Sequence, residues 1–102
     1  MSHVIALPAV LTVEAVTAAR APLLRSLQGL AAGTPVVLDA AAVRQFDSAG
    51  LALLLAARRQ AQALQQSLVV QGWPQSLRAL AQVYGVLELL DPHSASAAVT
   101  SG

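Results

Sequence analysis

Short runs rich in β-branched residues alternate along this chain with longer segments rich in alanine and leucine. Val4–Val10, Pro35–Asp39 and Leu68–Gly72 have the length of strands, and the segments between them repeat apolar residues at helical spacing. Because parallel strands need a crossover between them, this order predicts an α/β fold with a largely parallel sheet. We expect one domain over residues 1–90, followed by a flexible tail without periodicity over residues 91–102.

Prolines and terminal runs set the expected details of this fold. Pro8 removes a backbone donor, so the first strand is expected to lie at an edge or to end near Pro8. The run Pro35–Asp39 is the most strand-like and is expected to be central. Pro22 either kinks one helix or separates two, with Thr17 as the cap of the second. Val86–Leu90 is either a last strand or a short helical turn.

The apolar content is high, but the apolar runs are too short for a membrane span. Hydrophobic residues make up 56% of the chain, and the mean hydropathy is +0.62. The longest run of apolar residues and glycine is Ala49–Ala57, whereas a spanning helix needs about 20 residues. The N-terminus has neither the charged region nor the hydrophobic run of a signal peptide, so we expect a cytoplasmic protein without direct membrane insertion.

Charge, cysteine and histidine content argue against several functional classes. The six basic residues are scattered arginines, the net charge is +1 and aromatic residues make up 3%, so no nucleic-acid partner is expected. The chain has no cysteine, and its two histidines, His3 and His93, are far apart, which predicts neither a metal site nor a nucleophile–base pair. Glycine motifs that cradle phosphate are also missing. We therefore expect a protein that is not an enzyme and holds no cofactor.

The segment at residues 47–50 begins a helix predicted from Ser48 to about Gln66. Asp47 and Ser48 are both helix-capping residue types, whose side chains accept from the free amides of a first turn. Gly50 has no Cβ and permits a close approach between this helix and the element beneath it. A well-capped structural helix explains these residues without any functional role.

The two sides of this helix differ from those of an ordinary surface helix. One side is predicted to face the core and carries Gly50, Leu53, Leu54, Ala57, Ala61 and Leu64. The opposite side carries Ser48, Leu51, Ala52, Leu55, Arg59 and Gln62. Its first two turns are thus apolar where solvent is expected, which indicates that another protein covers them.

Two segments also resemble a known family. Val36–Leu55 reads V-V-L-D-A-A-A-V-R-Q-F-D-S-A-G-L-A-L-L-L, which resembles the STAS signature of a strand ending in Asp followed by an Asp-Ser-Ala-Gly-Leu helix start. Val69–Val86 reads V-V-Q-G-W-P-Q-S-L-R-A-L-A-Q-V-Y-G-V and resembles the MlaB-like branch, the small subunits of the Mla phospholipid-asymmetry ABC transporter. The resemblance spans roughly Leu7–Leu90 and is weaker before Pro35, where Ala9 replaces a common Gly.

The resemblance implies a fold, a partner and one alternative function. The implied fold is a STAS-like mixed, largely parallel four-stranded sheet with helices, in a protein that binds proteins and is not an enzyme. In the MlaB-like branch the helix at Ser48 packs on the cytoplasmic ATPase subunit, which implies a location peripheral to the inner membrane. In anti-sigma-factor antagonists a partner kinase phosphorylates this Ser, so an anti-sigma kinase acting on Ser48 is the alternative. Apart from the resemblance, the apolar face of the Ser48 helix leaves a homodimer through that face as a third alternative.

The predicted contact residues follow from both arguments. The partner-binding set is Ser48, Leu51, Ala52, Leu55, Arg59 and Trp73, with Asp47 and Gly50 shaping the helix start. Arg59 either belongs to an ordinary solvated helix face or meets an acidic partner residue, since it lies on the Ser48 side of the helix. Trp73 is expected to be exposed in a turn. Tyr84 is expected to pack in the core. Asp39 is expected to cap a strand end or to frame Ser48 together with Asp47.

Overall fold

The computed structural model describes residues 2–91 and has five strands and four helices there. They are β1 (His3–Ala6), β2 (Val10–Leu11), α1 (Val13–Gln28), β3 (Pro35–Asp39), β4 (Gln45–Phe46), α2 (Ser48–Ala63), β5 (Ser67–Gln71), α3 (Gln75–Val83) and α4 (Leu87–Leu90). This α/β arrangement confirms the predicted fold class. The predicted tail, apart from Asp91, and His93 with it, lies outside the described residues.

The sheet is parallel and has three strands in the order β1-β3-β5, so β3 is central as predicted. Strands β2 and β4 form a separate parallel ladder of two residue pairs, in place of a fourth strand in one sheet. Val86–Leu90 supplies no further strand, because Leu87–Leu90 forms α4.

The first predicted strand is divided at Pro8 into β1 and β2. The amide of Leu7 still donates to Asp39 O at 2.9 Å, but proline has no N–H to continue this ladder. The chain therefore leaves β3, and β2 pairs with β4 instead. The order of strands places β1 at an edge of the sheet, as the proline predicts.

Pro22 lies within one continuous helix, Val13–Gln28. Proline leaves the carbonyl of Ala18 without an amide donor, and Ala18 and Pro22 are both exposed, which places this interruption on the solvent side of the helix. The hydroxyl of Ser26 donates to Pro22 O at 3.0 Å within the following turn. Pro22 thus does not separate two helices, and Thr17 caps no second one.

The core lies on one face of the sheet, beneath α1 and α2. Alternation along β3 and β5 directs one set of side chains into this core and the other away from it. The inward set and its partners on the helices are Val36, Leu38, Val70, Leu23, Leu27, Leu54, Ala57 and Ala61. Across the other face, Val4, Val37 and Val69 share one register row, and Val4 is 59% exposed.

Helix α2 ends at Ala63, three positions before the predicted end. The backbone of Gln65 adopts a positive φ of 58°, a left-handed conformation that reverses the chain into β5. Glycine or asparagine is the usual residue at such a position, so a glutamine there gives no sign that the helix has ended.

Among the described residues, no helix is both long and apolar enough to cross a membrane.

Candidate functional site

The carboxylate of Asp47 caps two helices at once. Its Oδ1 accepts from the amide of Ala49 at 2.9 Å, as the N-cap of α2, and its Oδ2 accepts from the amide of Val13 at 3.0 Å. The side chain of Thr12, which occupies the N-cap position of α1, makes no capping bond. Helices α1 and α2 therefore begin side by side, and one side chain fixes both starts.

Gly50 permits the contact between α2 and β2. A Cβ built on Gly50 would lie 2.6 Å from Leu11 O, which is far below van der Waals contact. The amide of Asp47 also donates to Leu11 O, at 3.4 Å. The helix start is thus held against the backbone of β2 at a distance that only glycine allows.

The outward side of α2 carries a stripe that we call the α2 outer surface. Ser48, Ala52 and Arg59 are exposed there, and Leu55 is half-buried. The hydroxyl of Ser48 has no hydrogen-bond partner within residues 2–91. This surface therefore combines a free hydroxyl, apolar side chains and a cation on a rigidly anchored helix.

Leu51 does not belong to this surface, and its predicted outward position is wrong. Its side chain is 2% exposed and belongs to the core cluster. The helical pattern predicts a single buried side for α2, whereas α2 contacts α1, β5 and α4. A helix with neighbours on three sides buries a wider arc than one stripe, so Leu51 is enclosed.

The positions of Trp73 and Tyr84 also differ from expectation. Trp73 is half-buried against the core, and its indole N–H donates to Val70 O at 3.1 Å. Tyr84 is 55% exposed, because α3 ends at Val83 and the stripe formed by Leu77 and Ala81 does not continue. Trp73 therefore stabilises its own turn, while Tyr84 is available at the surface.

Asp39 caps the end of β3. Its Oδ1 accepts from the amide of Ala41 at 3.0 Å. A Cβ on Gly72, whose φ is +72°, would lie 2.8 Å from the same oxygen. Among the described residues no hydrogen bond joins this carboxylate to Asp47 or Ser48, so Asp39 has the first of its two predicted roles.

A groove between α1 and α2 adjoins the α2 outer surface, and no pattern in the sequence predicts it. Its volume is about 300 Å³, and its lining residues are Val16, Thr17, Arg20, Ala49, Ala52 and Leu53. We call it the α1–α2 groove. Its two walls are separated by some 30 positions in the chain. The hydrogen bond from the amide of Val13 to Asp47 aligns them, and the spacing of apolar residues along one helix does not predict a bond between two helices.

Metal chemistry finds no support in the part of the chain that the structure describes. Over residues 2–91, no group of three or more His, Asp or Glu side chains is placed to hold an ion. The carboxylates of Asp39 and Asp47 are engaged with backbone amides. What the arrangement offers is a contact surface of small, apolar and cationic side chains.

Comparison with known proteins identifies one family. The family model described as "Mlab, STAS domain" matches residues 3–91, which include every element of the fold. No curated protein matches the chain.

Proposed function

Because the chain belongs to the STAS domain family, in the group whose model is described as MlaB-like, we propose that it is a non-enzymatic subunit of a transporter. It binds the cytoplasmic ATPase of a phospholipid-transport ABC transporter and supports the assembly or the activity of that complex. Its location is then cytoplasmic and peripheral to the inner membrane, through the complex. Binding needs no cofactor and no nucleic acid.

The observation that carries this proposal is the α2 outer surface. Ser48, Ala52 and Arg59 are exposed there, and Leu55 is half-buried between this surface and the core. The start of the helix is fixed by Asp47 and by its contact with β2, so binding does not require ordering of the surface. A preorganised surface of small side chains with an exposed arginine beside it supports the proposal, because a partner can pack on it without the cost of ordering the helix.

A charge placed on this surface tests the proposal. Ala52→Glu puts a carboxylate in the centre of the proposed interface, and Ala79→Glu puts the same side chain on the exposed side of α3. We expect Ala52→Glu to weaken binding to the purified ATPase subunit by about a hundredfold, because burying an unpaired charge is costly. Ala79→Glu is expected to bind as the unmodified chain does. Titration calorimetry measures both, and circular dichroism verifies that both variants are folded.

A phosphorylation switch is the second candidate, and the exposed hydroxyl of Ser48 favours it. Because this hydroxyl has no partner within residues 2–91, a kinase can reach it without unfolding the helix start. The two functions differ in one measurable way. The switch is supported if an anti-sigma kinase phosphorylates Ser48 stoichiometrically, which a mass gain detects, and if this phosphorylation abolishes partner binding. ATPase binding by unmodified protein that Ala52→Glu removes supports the transporter subunit.

A further inference from the structure

Two arginines beside the helix pair have no partner within the described chain. Over residues 2–91 the side chains of Arg20 and Arg59 make no hydrogen bond and no ion pair. By contrast, Arg25 Nε donates to Ala21 O at 3.5 Å, and a guanidinium nitrogen of Arg58 donates to Gln62 at 3.4 Å. Arg20 lines the α1–α2 groove, so a free positive charge borders this groove.

The groove has room for a side chain of an incoming helix, since its volume is about 300 Å³. Its walls are two helices that begin side by side, and small side chains, Thr17, Ala49 and Ala52, leave the space between them open. Helices pack by placing a ridge of side chains into such a groove. Val16 and Leu53 make the lining apolar, which suits an apolar side chain of the incoming helix.

We propose that the α1–α2 groove receives a helix of the ATPase subunit that carries a carboxylate. An apolar side chain of that helix enters between Thr17 and Ala52, and its carboxylate pairs with Arg20. The charge of Arg20, which has no partner within residues 2–91, favours an acidic group on the incoming helix. This inference rests on the proposed function and adds the chemistry of the partner and the place where it binds.

Charge reversal on one helix tests the ion pair. Arg20→Glu and Arg25→Glu change the net charge equally, but Arg25 does not line the groove. We expect Arg20→Glu to raise the Kd for the purified ATPase subunit at least about tenfold, while Arg25→Glu changes it by less than about twofold. Arg20→Gln, which keeps a good helix former, is expected to have a smaller effect of the same sign.

Filling the groove tests the apolar contact without changing charge. Thr17→Trp places a large ring in the groove, and Ala18→Trp places the same ring at the neighbouring exposed position, which does not line it. We expect Thr17→Trp to weaken ATPase binding at least about tenfold and Ala18→Trp to leave it unchanged. Thermal melting verifies that each variant is folded before its Kd is measured.

The outcomes separate this inference from the function on which it rests. If the ATPase binds the unmodified chain and binds Arg20→Glu and Thr17→Trp equally well, the partner is right and the inference about the groove is overturned. The inference is also overturned if Arg20→Glu and Arg25→Glu weaken ATPase binding equally, since the change in net charge then explains the loss. No binding of the unmodified chain overturns both proposals. Sedimentation of the isolated chain tests a homodimer. If the chain is a dimer that Arg20→Glu dissociates, a second copy of the chain occupies the groove, and the inference is overturned.

Discussion

One carboxylate determines how the two surface helices of this domain begin. Asp47 is the N-cap of α2 and also accepts the first amide of α1, 34 positions earlier in the chain. Its residue type predicts the first bond, because Asp is a common N-cap. The second bond depends on where β2 directs the chain before Val13, which local sequence does not encode.

Removal of this side chain is predicted to destabilise the fold more than removal of an ordinary cap. Asp47→Ala loses bonds at both helix starts, so we expect the free energy of unfolding to fall by about 2 kcal/mol. Asp47→Asn keeps one acceptor oxygen and is expected to lose about half of that. Asp39→Ala, which removes one bond from an exposed turn, is the control, with an expected loss of about 1 kcal/mol. Urea unfolding measures all three; equal losses for Asp47→Ala and Asp39→Ala would contradict the double cap.

At the scale of elements, the packing of α2 on β2 depends on the close approach at Gly50. Alanine is the better helix former by about 1 kcal/mol, so on propensity alone Gly50→Ala stabilises α2. Its methyl group would lie 2.6 Å from Leu11 O, a backbone atom that cannot rotate away. We therefore expect a net loss of at least about 1 kcal/mol of stability, because α2 must shift from β2.

Gly29→Ala provides the matched control for this substitution. Gly29 has a right-handed φ of −77°, and the atom nearest to an added methyl group would be Ser26 O at 3.6 Å, an ordinary contact. We expect no loss of stability in Gly29→Ala. A gain of up to about 1 kcal/mol is expected, because alanine lowers the conformational entropy of the unfolded chain. Thermal melting of both variants checks this, and a Gly50→Ala protein as stable as Gly29→Ala would show that the contact is not tight.

The elements of this fold are more predictable from sequence than their surroundings. The α/β order, the central β3 and the edge position of β1 follow from local patterns of apolar residues and proline. The predicted positions of Leu51 and Tyr84 are wrong because burial depends on neighbours: α4 adds a contact to α2, and the end of α3 at Val83 exposes Tyr84. The α1–α2 groove escapes prediction for the same reason, since its walls meet only in the folded chain.

At the scale of the whole molecule, one buried polar side chain joins the first half of the fold to the second. Gln66 is 6% exposed, and its Nε2 donates to Leu27 O at 2.8 Å and to Leu30 O at 2.9 Å. These carbonyls lie at the end of α1 and just beyond it, whereas Gln66 directly precedes β5. Its Oε1 is buried without a partner within the described residues, so the two donated bonds account for the orientation of the amide.

Gln66→Leu is predicted to weaken this connection while nearly preserving side-chain volume. The two lost bonds destabilise by about 2 kcal/mol, and removal of the unpartnered oxygen offsets part of this, so we expect a net loss of about 1 to 2 kcal/mol. Gln82→Leu, at an exposed position on α3, is the control and is expected to change stability by less than about 0.5 kcal/mol. Urea unfolding compares them. A Gln66→Leu protein more stable than the unmodified chain would mean that the unpartnered oxygen outweighs both bonds, and that apolar packing alone holds the end of α1 to β5.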